Sequence, residues 1–109
     1  MAIDVKLPRP VEGNELIRYI KNAARRLGWN VRDKDEYRDV YSPGSLKRER
    51  EYTGTELTFK RRIIPLTVGY VFNLNRNHQH TSLYLFPGFK LATRGEVEKF
   101  IKSLYEEIV

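Results

Sequence analysis

Two segments with helical apolar spacing, Glu15 to Leu27 and Glu96 to Ile108, enclose a middle rich in β-branched and aromatic residues. Leu16, Ile20, Ala23, Ala24 and Leu27 recur every three or four positions in the first, as do Val97, Phe100, Ile101, Leu104, Tyr105 and Ile108 in the second. An amphipathic helix must bury its stripe, and what lies between these two reads as strands. The order strand, helix, several strands, helix therefore predicts an α+β two-layer sandwich. In that arrangement an antiparallel, curved sheet of about five strands carries the N-terminal and C-terminal helices on one face. A chain of 109 residues suits one such domain.

The boundaries follow from local chemistry. Ile3, Val5 and Leu7 alternate with Asp4 and Lys6 as in a half-buried strand, which Pro8 and Pro10 are expected to end. Asn14 is the expected N-cap of the first helix, and Gly28 its left-handed terminator. Trp29 and Val31 begin an extended stretch, Asp33 to Glu36 interrupts it, and Tyr37 to Tyr41 resumes it before the turn Ser42-Pro43-Gly44-Ser45. One bulged strand or a hairpin would both fit. Leu46 to Tyr52 and Thr55 to Ile64 flank Thr53-Gly54 like a hairpin, yet a two-residue loop would set Glu51 opposite Glu56 and Lys47 opposite Lys60. Like charges directly opposed are unfavourable, so either the register is shifted or the first segment is partly loop.

Pro65 separates that strand from Leu66 to Leu74, where Leu66, Val68, Tyr70, Phe72 and Leu74 share a face. A polar loop, Asn75 to Gln79, leads to the strand Thr81 to Phe86, and Pro87-Gly88 turns the chain towards the last helix. Thr93 and Glu96 have capping-box spacing, whereas Glu106 and Glu107 oppose the helix dipole with no reason visible in the sequence. This layout resembles the saddle-like domain of the TATA-box-binding proteins and the helix-grip domains. No motif of either family is present, so the resemblance concerns layout and transfers no function.

Charge narrows the partner classes. The net charge of +6 and pI near 9.7 favour an anionic partner, nucleic acid first, and no single tract carries the excess. Arginine supplies 12 of the 20 cations, which suits forked phosphate contacts and ion-pair networks alike. The absence of cysteine removes disulfides, thiolate nucleophiles and cysteine metal sites. Asp4 and Lys6 break the N-terminal apolar residues, so neither a signal peptide nor a membrane span is expected and the chain reads as cytoplasmic. Few amides, one Met and no Cys also suit a heat-tolerant protein.

If the helices cover Leu57, Phe59, Ile63, Val68, Phe72, Leu83 and Leu85, alternation turns Thr58, Lys60, Arg62, Thr67, Asn73, Ser82, Tyr84 and Phe86 to the other face. Basic and aromatic side chains together on a free sheet face are one way of meeting phosphates and bases. The candidate nucleic-acid site is accordingly Lys60, Arg62, Asn73, Tyr84 and Phe86, with Arg76 at the loop tip and Arg18, Lys21 and Arg25 as a stripe on the first helix. The expected activity is DNA binding through the phosphate backbone with weak sequence specificity, in a regulatory or accessory role.

Two other readings compete. In one, the uncovered face or an edge strand makes a homodimeric interaction module. In the other, Asp33, Asp35, Glu36 and Asp39 hold metal ions for a nuclease, although the order of acids and lysines does not fit the usual nuclease core. His78 and His80 lack the further ligands of a metal site, and no catalytic elbow, phosphate-cradling glycine loop or dinucleotide fingerprint occurs. No catalytic, cofactor or metal residues are assigned.

Overall fold

The first helical stripe folds as expected, and its ends show why it stops where it does. In the computed structural model, residues 3–44, 47–63, 66–85 and 94–109 are described, side chains excepted at 3, 59–63, 66–73, 85, 94 and 96. The elements are β1 (Ile3–Glu12), α1 (Gly13–Arg26), β2 (Asn30–Tyr41), β3 (Arg48–Ile63), β4 (Leu66–Leu74), β5 (Gln79–Leu85) and α2 (Arg94–Ile108). Leu16, Ile17, Ile20, Ala23 and Ala24 bury one side of α1. Gly28, at φ 76°, follows the helix, and its N–H donates to the Arg25 carbonyl at 3.0 Å while that of Trp29 reaches Ala24 at 2.9 Å. That double bond pattern is a Schellman closure, which needs a left-handed residue where glycine stands. The N-terminus differs from expectation: Glu12, not Asn14, holds the cap position, and no side chain caps it.

The class is α+β and all pairing is antiparallel, but the strands do not form one curved five-strand sheet. β1 pairs with β5, and β2, β3 and β4 form a separate sheet in that order. The reason lies in the connection between β4 and β5. Arg76 is drawn onto Asp33 and Asp35 of β2, and the His78 carbonyl accepts the Gly13 N–H at 2.8 Å. The connection is thereby tied to β2 and α1, and β5 departs to pair with β1.

Both sheets and both helices share one core. Val5 and Val11 of β1, Leu57 of β3, Leu74 of β4 and Leu83 of β5 join the α1 stripe and Val97, Phe100, Leu104 and Ile108 of α2. Burying a side chain of this size stabilises the fold by about 1.5–3 kcal/mol. Trp29 stacks on Phe100 with ring centroids 6.0 Å apart. Ser103 Oγ donates to the Ala23 carbonyl at 3.2 Å, and Arg26 pairs with Glu106 and Glu107, so the helices run side by side in the same direction. Those ion pairs account for the two glutamates at the end of α2. Arg9 Nε adds a bond to the Ile108 carbonyl at 3.3 Å, placing a second cation against the helix's negative end. The capping box at Thr93 lies outside the described residues. No helix among them is long and apolar enough to cross a membrane.

Three strand boundaries depart from the sequence reading. β1 continues to Glu12 because Pro8 and Pro10 sit in an irregularity: Lys6 pairs with Ser82 and Val11 with His80, so Leu7 to Pro10 oppose only Thr81 and need donate no ladder bonds. Asp33 to Glu36 does not interrupt β2 but is part of it. Thr53-Gly54 is no hairpin turn: Glu36 pairs with Gly54 and Tyr37 with Tyr52, leaving Thr53 bulged within a continuous β3, its hydroxyl donating to the Glu36 carbonyl at 3.1 Å. Neither the shifted hairpin register nor the partly looped first segment expected from the sequence is formed. β3 instead pairs along its length with β2, so that Arg38 faces Glu51 and Asp39 faces Arg50.

Beyond the bulge, β2 and β3 leave the body as a two-stranded arm. The radius of gyration of 16.1 Å exceeds the value of about 13 Å usual for a chain of this length, and the principal extents are 54 × 36 × 23 Å.

Candidate nucleic-acid interface

The base of the arm is fixed by a polar cluster built from four elements. Alternation along β2 places Asp33 and Asp35 on the face towards α1 and the core, opposite Leu57 and Thr55. Arg76 donates from Nε to Asp35 Oδ1 at 2.8 Å and from Nη2 to Asp33 Oδ2 at 2.5 Å, while Lys21 Nζ reaches Asp33 Oδ1 at 2.5 Å. A hydroxyl chain completes it. The Arg76 backbone N–H donates to Tyr52 at 3.1 Å, Tyr52 to Thr55 at 2.5 Å, and Thr55 to Asp35 at 2.7 Å.

The electrostatic consequence is that both carboxyls are held below the ordinary aspartate range. For Asp33 the largest cause is the hydrogen bond from Lys21, partly opposed by desolvation, and for Asp35 it is the hydrogen bond from Arg76. Arg76 is raised in turn, chiefly by Asp35. These carboxylates are therefore neutralised by protein cations, which is the opposite of what a two-metal nuclease needs. Asp39, the third aspartate of the acidic group, pairs with Arg48 at 2.7 Å. Among the described residues no group of three metal-ligating side chains occurs.

Above that base the arm has two unlike faces. Residues directly opposite in an antiparallel pair share a face, so Tyr37 with Tyr52, Asp39 with Arg50 and Tyr41 with Arg48 make one side. Arg38 with Glu51 and Val40 with Glu49 make the other. The first carries two arginines against one aspartate and presents Tyr37 at 50% and Tyr41 at 63% exposure. The second carries one arginine, bonded to Glu51 at 3.1 Å, against two glutamates. Arg50 lies over the Tyr37 ring at 5.3 Å and has no salt bridge among the described residues. Tyr37 also meets Tyr52 edge to face at 5.9 Å, so its ring is held in place.

The residues singled out from sequence do not converge. Arg76 is engaged by Asp33 and Asp35 and Lys21 by Asp33, so the Arg76 side chain turns inward from the loop. Its inward turn follows from two carboxylates on one side of β2. Arg18 and Arg25 are exposed on α1, Arg18 with its guanidinium 5.3 Å from the Tyr19 ring centroid. Tyr84 is 51% exposed on β5, which belongs to the other sheet. Lys60 and Arg62 lie in β3, paired with Asn30 and Gly69 and with Thr67, and Asn73 lies in β4 opposite Glu56. Their side chains, and Phe86 altogether, fall outside the described residues. Lys60 thus belongs to the sheet of β2, β3 and β4, and Tyr84 to that of β1 and β5.

The chain matches no protein-family model, no curated protein and no solved structure. Its geometry is consequently the basis for a functional reading. Tyr37, Tyr41, Arg48 and Arg50 were not among the residues expected from sequence. Their signal was the period-2 run of aromatic and basic residues on both sides of the Ser42-Pro43-Gly44-Ser45 turn, readable once the two flanks are paired with each other.

Proposed function

We propose that the protein binds nucleic acid, with DNA as its expected target, mainly through phosphate contacts and with weak sequence specificity. The observation that carries this reading is the projecting arm, which has no core on either side and gathers exposed tyrosines and arginines on one of them. Buried apolar surface cannot explain such a ribbon, and an anionic partner fits a chain of charge +6. Exposed Arg18 and Arg25 on α1 are available for secondary backbone contacts. A regulatory or accessory role agrees with binding that does not read sequence strongly.

A second copy of the chain is the competing partner, through the open edge of β2. Charge opposes it. In any two-fold antiparallel register pairing more than three residues of β2 with another β2, like charges fall opposite, as when Arg32 meets Arg38, Asp33 meets Asp39 or Asp35 meets itself. Fluorescence anisotropy with labelled duplex and single-stranded DNA across a salt series tests the leading reading. Each neutralised phosphate contributes about −0.7 to −0.9 to the log-log salt slope, so two or three contacts give about −2. No binding to either form at low salt ends the proposal, and light scattering over the same range reports any dimer.

A further inference from the structure

We infer that the Tyr37, Tyr41, Arg48 and Arg50 face of the arm is a platform for an unpaired nucleic-acid strand, with bases on the tyrosine rings and phosphates on the arginines. This rests on the nucleic-acid reading above and specifies which form of nucleic acid is bound, and by which side.

Duplex and single strand offer a protein different surfaces. A duplex keeps its bases stacked and presents phosphates and base edges, which are read by arginine forks and by amide or hydroxyl side chains. The arm's basic face holds no Asn, Gln, Ser or Thr to read base edges. What it does hold is flat apolar surface. Tyr41 is 63% exposed near the hairpin end, and Tyr37, 50% exposed, is steadied by Tyr52 and Arg50. Two aromatic rings four residues apart on one strand lie about 13 Å from each other. Exposed rings flanked by guanidinium groups are the chemistry by which single strands are bound without sequence readout.

The opposite face sets the polarity of the interaction. Glu49 and Glu51 outnumber Arg38 there, so a phosphate chain is repelled from that side and drawn to the other. The asymmetry also supplies an internal control, because Arg38 and Arg50 are exposed cations of the same arm that differ in face.

Anisotropy titrations with a labelled oligonucleotide and its duplex test the inference. Tyr41 is 63% exposed and makes no hydrogen bond, ion pair or ring contact among the described residues, so Tyr41→Ala is expected to keep the fold. It is expected to weaken single-strand binding on the order of tenfold, with much less effect on the duplex. Arg50→Ala is expected to cost severalfold more single-strand affinity than Arg38→Ala, although both remove one charge. Equal losses for the two arginines, or single-strand affinity untouched by Tyr41→Ala, overturn this assignment while leaving nucleic-acid binding standing. Wild-type binding to duplex in preference to single strand does the same. Failure of the wild type to bind either form overturns the parent reading instead.

Discussion

Replacing Arg76 by Met should cost about 2–3 kcal/mol of folding stability. Met retains the length of the aliphatic stem while removing the guanidinium, so the change isolates the polar contacts. Arg76 makes two charge-assisted bonds, at 2.8 Å to Asp35 and 2.5 Å to Asp33, and hydrogen bonds to charged groups contribute about 1.5–3 kcal/mol each. The side chains are 26% exposed at Arg76, 27% at Asp33 and 35% at Asp35, so solvent screening moves each bond to the lower end. The bond from Nη1 to Asn14 at 3.3 Å adds little. After the substitution Asp33 keeps Lys21 and Asp35 keeps Thr55, which spares both carboxylates complete isolation.

Urea unfolding followed by Trp29 fluorescence measures the loss, since the one tryptophan is 6% exposed when folded. The pH dependence is set by the same geometry. Both aspartates are lowered in the folded state, so their contribution is fully present above the unfolded pKa and lost as pH falls through the folded one. The difference between wild type and Arg76→Met should therefore be constant from pH 5 to 8 and shrink below about pH 4. A loss under about 1 kcal/mol at pH 7, or a difference that persists undiminished into acid, refutes the clamp.

Two glycines make a contrast in mechanism. At Gly13 an added Cβ would fall 2.1 Å from the Asn75 carbonyl oxygen and 2.7 Å from Arg76 Cα, both backbone, so Gly13→Ala should destabilise by about 3 kcal/mol in the same urea assay. At Gly28 nothing lies within 4 Å, and only φ 76° resists a side chain. Gly28→Ala should then cost about 1 kcal/mol and Gly28→Asn less, because asparagine tolerates the left-handed region. Equal losses for Gly28→Ala and Gly28→Asn would contradict that account.

How far the sequence reached depends on whether the deciding interaction was local. Gly28 was legible because the Schellman closure involves residues within five positions of one another, and the α1 stripe because its period is set by the backbone. The inward engagement of Arg76 was not legible because its partners lie 41 and 43 residues away, and a chain with 12 arginines offers no local clue to which one two aspartates will capture. The arm was hidden for a related reason: alternation divides Tyr37, Asp39 and Tyr41 from Arg38 and Val40, but only the extent of the core decides that neither set is covered. Exclusion by charge behaved differently. Opposed glutamates and lysines excluded the simple two-residue register at Thr53-Gly54, but neither a shifted hairpin nor a partial loop forms there: the chain bulges within one continuous strand. Repulsion between directly opposed like charges holds wherever the strands meet, whereas attraction needs a partner whose position the fold must first supply. The same asymmetry gives weight to the like-charge conflict along β2 as an obstacle to edge pairing, and leaves the arm's basic, aromatic face as the side on which a partner is to be sought.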